Sequence, residues 1–92
     1  MAKLSDSEIN SALAKLEGWQ GDGAGIKRSY KFKDFVESMG FVNKVALIAE
    51  KADHHPDIEI SYNSVGLTLV THSEGGVTSN DTEMAGKINA LG

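Results

Sequence analysis

Between residues 58 and 69 the sequence alternates in a way that commits the chain to a sheet. Ile58, Ile60 and Tyr62 are interleaved with Glu59, Ser61 and Asn63, and Val65, Leu67 and Leu69 with Gly66, Thr68 and Val70. A period of two places each apolar trio on one face of a strand. A turn centred on Asn63-Ser64 would pair Tyr62 with Val65, Ile60 with Leu67 and Ile58 with Leu69. Both rows then share a face, as a half-buried antiparallel hairpin requires. The rest of the chain must supply a cover for that face.

Three helical segments can do so. The first opens at Ser5 with Glu8 three residues on, a capping-box pattern, carries Ile9, Ala12, Leu13 and Leu16 as a stripe, and ends at Gly18. The second has Asp34 as N-cap and Glu37 three later. Its apolar face runs from Phe35 through Met39, Val42, Val45, Ala46 and Ala49 to Ala52. Pro56 disfavours helical geometry at His55, so this helix stops at about Asp53. The third opens at Thr78 with Asp81 three on, and buries Met84, Ala85, Ile88 and Leu91. Between the first two helices, Trp19 leads into a turn at Gly21-Asp22-Gly23 and a strand from Ile26 to Phe32. There Ile26, Tyr30 and Phe32 oppose Lys27, Ser29 and Lys31. The expected architecture is α+β: helix, hairpin, helix, hairpin, helix, with three helices packed on one face of a four-stranded antiparallel sheet. At 92 residues, the whole of 1–92 is expected to be a single domain.

The charge balance narrows function. A formal net charge of -4 lacks the basic surface that non-specific nucleic-acid binding needs. No apolar run approaches the roughly 20 residues of a membrane span. The N-terminal Met1 to Asp6 has no signal-peptide core, so a cytoplasmic protein is expected. Without cysteine there are no thiolate nucleophiles and no Cys-based metal sites.

What remains is histidine. The chain has three, His54, His55 and His72. Extending the hairpin register backwards sets Pro56 opposite Thr71 and His55 opposite His72. His54 and His55 sit at a proline-broken corner where both can turn towards one pocket. Imidazole, with an unperturbed pKa of about 6.5, gives and takes protons near neutral pH. Glu50 lies one helical turn before His54, and Asp53 and Asp81 are expected nearby. A carboxylate on one ring nitrogen fixes the tautomer and leaves the other nitrogen as the working base. Taken singly, a histidine is more often a surface or capping residue; their convergence is what favours catalysis. Three histidines would also suffice for a zinc ion, but no H-x-x-x-H or H-x-H spacing is present and adjacent histidines chelate poorly, so no metal is expected.

At these residues the chain strongly resembles the pterin-4a-carbinolamine dehydratase family. The family pattern is an acidic residue, three positions, His-His-Pro, five positions, an aromatic, nine positions, His, and later Asp. It is met here by Glu50, His54-His55-Pro56, Tyr62, His72 and Asp81. The likeness takes in Gly18-Trp19, Tyr30 to Phe35, Val45-Ala46, Ala49 to Lys51, Thr71-His72 and Gly75 to Thr78, roughly residues 15 to 90. The resemblance implies a small α+β domain forming homodimers or homotetramers. It also implies loss of water from a 4a-hydroxytetrahydropterin, a step that recycles the pterin after an aromatic amino acid hydroxylase, with no metal or other cofactor. It makes His54, His55 and His72 catalytic and puts Glu50, Asp53, Pro56, Thr71, Ser73, Glu74 and Asp81 around the substrate. One departure stands out: where many members carry Trp two residues after the proline, this chain has Ile58. Trp19 is the only indole, and it is expected at the core or its rim rather than stacked on a ligand. Two other readings follow from the same residues. One is a dehydratase-like protein for another pterin. The other is a binding or dimerisation module, like relatives that act as transcriptional coactivators, using Phe41 and Ile48 off the main stripe of the second helix.

Overall fold

The computed structural model describes residues 2–91. Helix α1 (Asp6–Leu13) is followed by strands β1 (Gln20–Asp22) and β2 (Gly25–Lys31). Then come helix α2 (Phe35–Ala52), strands β3 (Asp57–Ser61) and β4 (Ser64–Leu69), and helix α3 (Ser79–Asn89). The four strands form one antiparallel sheet in the order β1-β2-β4-β3. Three helices and a four-stranded antiparallel sheet are what the periodicities dictate.

Local chemistry accounts for the helix starts. Ser5 and Glu8 close a reciprocal capping box on α1, Asp34 accepts from Glu37 N at α2, and Thr78 and Asp81 close a second box at α3. The ends depart from expectation. Helix α1 stops at Leu13 rather than Gly18, and 14–18 continue as turns, with Lys15 N bonding to Ala12 O and Leu16 N to Leu13 O. The first hairpin turns at Gly23-Ala24, with Gly21 and Asp22 in β1, because Asp22 Oδ1 accepts from Ala24 N at 2.8 Å and stabilises the later turn.

The second hairpin keeps its predicted faces but not its register. The loop is Tyr62-Asn63, with Tyr62 at φ 51, so Ile60 faces Val65 and Ile58 faces Leu67. Sheet continuity decides this. Ser64 is drawn into β4 opposite Lys31 of β2, where Lys31 Nζ also donates to its hydroxyl, and so cannot serve in the turn. Each partner moves by two residues, which preserves parity and leaves the apolar rows on one face. The expected pairing of His55 with His72 is therefore corrected. The ladder ends at Asp57 opposite Thr68, and the same register carried further sets His54 level with Thr71.

The inner face, Ile26, Val65, Leu67 and Leu69, is fully buried against Ile9, Val45, Met84, Ala85 and Ile88 from the three helices. Each such aliphatic side chain contributes on the order of 1.5–3 kcal/mol of burial. Phe41 and Ile48, expected on a self-association face, are half-buried against this core. The apolar residues that α2 does expose are Phe35, Val36, Met39 and Leu47. Ile58 lies on the core side of β3. Trp19 is buried, with its Nε1 donating to Asn89 Oδ1 at 2.9 Å. No helix among the described residues is long and apolar enough to cross a membrane.

Candidate active site

Three elements meet at one corner of the sheet: the C-terminus of α2, the start of β3 and the segment that joins β4 to α3. At the end of α2, Asp53 takes the left-handed conformation (φ 50), and His54 N reaches back to Ala49 O at 3.1 Å. This αL cap reverses the chain just where Pro56 forbids further helix. As a result the two adjacent histidines diverge, and each finds its own acid. His54 Nε2 lies 2.5 Å from Asp81 Oδ1, while His55 Nε2 lies 2.5 Å from Glu50 Oε1. Glu50 thus serves His55, not the His54 that sits one turn beyond it in sequence.

After β4, Thr71 and Gly76 bond each other's backbone in both directions and pinch off a tight loop. Residues His72–Glu74 form a single 3₁₀ turn within it, closed by Gly75 at φ 72. His72 therefore leaves the strand and stands 79% exposed, its Nε2 3.9 Å from Asp57 Oδ2. Ser73 and Glu74 share this exposed turn, whereas Pro56 is buried. Gly76 is required by close approach: a Cβ there would stand 2.9 Å from Gly23 O and 2.8 Å from Lys3 Cδ. Beside it, Leu4 N donates to Val77 O and Val77 N to Gly23 O, so the N-terminal segment and the first hairpin brace the loop.

The environments of the three imidazoles differ. His54 is 15% exposed and its partner Asp81 is completely buried, whereas the His55–Glu50 and His72–Asp57 pairs are open to water. Asp81 Oδ2 accepts from Thr78 N and from Thr71 Oγ1, each at 2.8 Å. A carboxylate only accepts, so the proton shared with His54 belongs to Nε2, and in the neutral imidazole Nδ1 then carries the lone pair. Among the described residues that Nδ1 has no partner, and no buried side-chain N or O lacks one, so it faces solvent. The corner gathers three imidazoles, each with a carboxylate beside it, the equipment of general acid–base chemistry. A groove of about 510 Å³ runs along the outer sheet face beside Lys27, Lys31, Glu59 and Thr68. Its walls carry no comparable set of proton-transfer groups.

Of the residues singled out from sequence, His54, Asp81 and Thr71 form one bonded cluster, and His55 with Glu50 a second. His72 stands on the loop that follows Thr71. Asp53 supplies the left-handed turn and its side chain joins none of these pairs. The sequence reading missed Thr78 and Asp57. Thr78 was visible as a helix cap, but nothing in a capping box says that its acid also holds a histidine. Asp57 carries no local signal at all.

The profile of the family described as pterin 4 alpha carbinolamine dehydratase matches residues 2–91. The chain belongs to the pterin-4a-carbinolamine dehydratase family. A relative from Koribacter versatilis is 53% identical over 88 residues, covering 96% of this chain and 94% of its own. One from Brucella ovis is 54% identical over 91 residues, covering 97% and 94%. Both are provisionally named pterin-4-alpha-carbinolamine dehydratases. A crystal structure from Brucella melitensis, described as a transcriptional coactivator/pterin dehydratase, superposes with a TM-score of 0.91 at 52% identity over 97% of each chain. A pterin dehydratase-like RuBisCO assembly factor of the alpha-carboxysome shares the fold, with a TM-score of 0.65 at 20% identity over 79% of this chain and 84% of its own.

Proposed function

We propose that this protein removes water from a 4a-hydroxytetrahydropterin to give the quinonoid dihydropterin, using its histidines as acid and base and no further cofactor. The observation that carries the reading is the corner where each of the three imidazoles has a carboxylate on its Nε2 side. In the reaction the C4a–oxygen bond breaks as a proton reaches the departing hydroxyl. The N5 proton is removed, and its electron pair forms the C4a=N5 double bond. One imidazole delivers the first proton, another takes the second, and the third orients the hydroxyl. His54 and His55, with Nε2 engaged by Asp81 and Glu50, would work through Nδ1. The mobile protons and the leaving water suit the exposed side of the corner, where His55 and His72 stand.

The test is turnover of chemically generated 4a-hydroxytetrahydropterin, with and without a chelator. Wild-type protein dehydrates it regardless of chelator. His54→Ala and His72→Ala each lower the rate by roughly 10²–10⁴-fold, the usual worth of a positioned acid or base, with the circular dichroism spectrum unchanged. Wild-type rates in both variants would overturn the assignment. A second reading, a partner-binding role, draws on the exposed apolar side chains of α2 and on the coactivator description of the Brucella melitensis relative. It is favoured if the folded protein shows no pterin turnover.

A further inference from the structure

The buried end of the site contains a hydrogen-bond chain whose direction can be worked out. A threonine hydroxyl carries one proton. Thr71 Oγ1 donates that proton to Asp81 Oδ2 at 2.8 Å. The 2.8 Å contact between the Thr71 and Thr78 hydroxyls must then run from Thr78 to Thr71. Thr78 Oγ1 in turn accepts from Asn80 N at 3.2 Å. The order is Asn80 N–H, Thr78 O–H, Thr71 O–H, Asp81 carboxylate, and on the far side of the carboxylate His54 Nε2–H. Chains of this kind polarise one another when shielded from water, and Asp81, Thr78 and Thr71 are all buried.

The geometry at Asp81 gives the chain a purpose beyond satisfying buried hydroxyls. Oδ2 holds two donors, Thr78 N and Thr71 Oγ1, so the carboxylate cannot rotate freely and Oδ1 stays directed at His54. Thr78 N is fixed by the helix cap; of the two, only the Thr71 donor comes from a different element. It comes from the end of β4, so it also ties the orientation of Asp81 to the sheet.

We propose that Thr71 is a positioning residue. Its hydroxyl ends an oriented chain that holds Asp81 so that neutral His54 keeps the Nε2–H tautomer and presents Nδ1 to the substrate. The proposal rests on the proton-transfer reading of His54 but not on which pterin is bound. A purely structural Thr71 would predict lost stability with the tautomer intact.

Two observables separate these cases: the long-range ¹H–¹⁵N spectrum of the imidazoles and the steady-state kinetics of dehydration. In wild-type protein the neutral His54 signal is that of a single Nε2–H tautomer. In Thr71→Val the Nδ1–H form appears alongside it. There kcat falls by about 10–100-fold, the size of loss seen when a partner that orients a metal-ligating histidine is removed, while KM changes little. Thr71→Ser restores both readings. An unchanged tautomer in Thr71→Val, or a serine variant as impaired as the valine one, overturns the proposal. So does a wild-type His54 already populating Nδ1–H, a result that needs no variant to fold. If wild-type protein fails to turn over the pterin, the proposed reaction falls, and the tautomer spectra still decide the role of Thr71.

Discussion

Asn89, at the other end of α3 from Asp81, has an amide oxygen that collects three donors. Trp19 Nε1 lies at 2.9 Å, Arg28 Nη1 at 2.6 Å and Tyr30 Oη at 3.4 Å. The Arg28 guanidinium also sits 4.4 Å above the Tyr30 ring. Burial raises the Tyr30 phenol above its ordinary pKa of 10.0, and the neighbouring Arg28 opposes that shift without cancelling it. A group whose folded pKa exceeds its unfolded one stabilises the fold in its protonated form. That contribution is complete below pH 10 and is lost as the pH climbs through the raised value. Thermal unfolding followed from pH 9 to 11 should therefore show a steeper fall for wild-type protein than for Tyr30→Phe. Parallel curves would mean that Tyr30 ionises with no bearing on stability. Composition showed that Trp19 was the only indole, and position suggested a buried rim. That one asparagine oxygen would gather three donors spread across the chain was beyond any local pattern, because all three lie about 60 to 70 residues away in sequence.

At the scale of elements, the site is made by what ends them. The αL turn at Asp53 and the buried Pro56 fix where His54 and His55 point, and the Thr71–Gly76 bridge fixes where the strand releases His72. The proline stop was legible because an X-Pro restriction is local. The faces of the second hairpin were legible for the same kind of reason, since parity survives any shift by two. The register was not, because it depends on Ser64 being held by β2, a contact across more than thirty residues. Gly76 shows how tightly the loop is braced. An added methyl would meet Gly23 O and Lys3 closer than side-chain carbons tolerate, and a backbone oxygen cannot step aside as a lysine can. Gly76→Ala should cost about 1–3 kcal/mol, the usual range for overpacking, read as a lowered denaturant midpoint. Because the same loop carries His72 and adjoins Thr71, the variant's dehydration rate should fall more than its residual folded fraction explains. A variant as stable as wild type would show that the first hairpin yields and the brace is loose.

For the molecule as a whole, one surface is unexplained by the packing within a single chain. Val36, Gly40, Asn43 and Leu47 recur at helical spacing on α2, with Val36 78% and Leu47 73% exposed. A glycine inside a helix costs about 1 kcal/mol relative to alanine, yet a Cβ at Gly40 would meet nothing within 4 Å. No packing within the described chain calls for its small size. The family resemblance leads to an expectation of two or four copies, and a second α2 laid along this stripe would use the gap at Gly40 for close approach. The prediction is specific. Sedimentation of wild-type protein at micromolar concentration should give a multiple of the single-chain mass. Leu47→Glu, which places a charge at the C-terminal end of the stripe, should lower that mass while leaving the circular dichroism spectrum intact. The site does not depend on such a contact: His54, Asp81, Thr71 and Thr78 close their hydrogen bonds within one chain. The dissociated variant should therefore keep the Nε2–H tautomer of His54. A wild-type protein that sediments as a monomer would remove the case for α2 as a contact between copies.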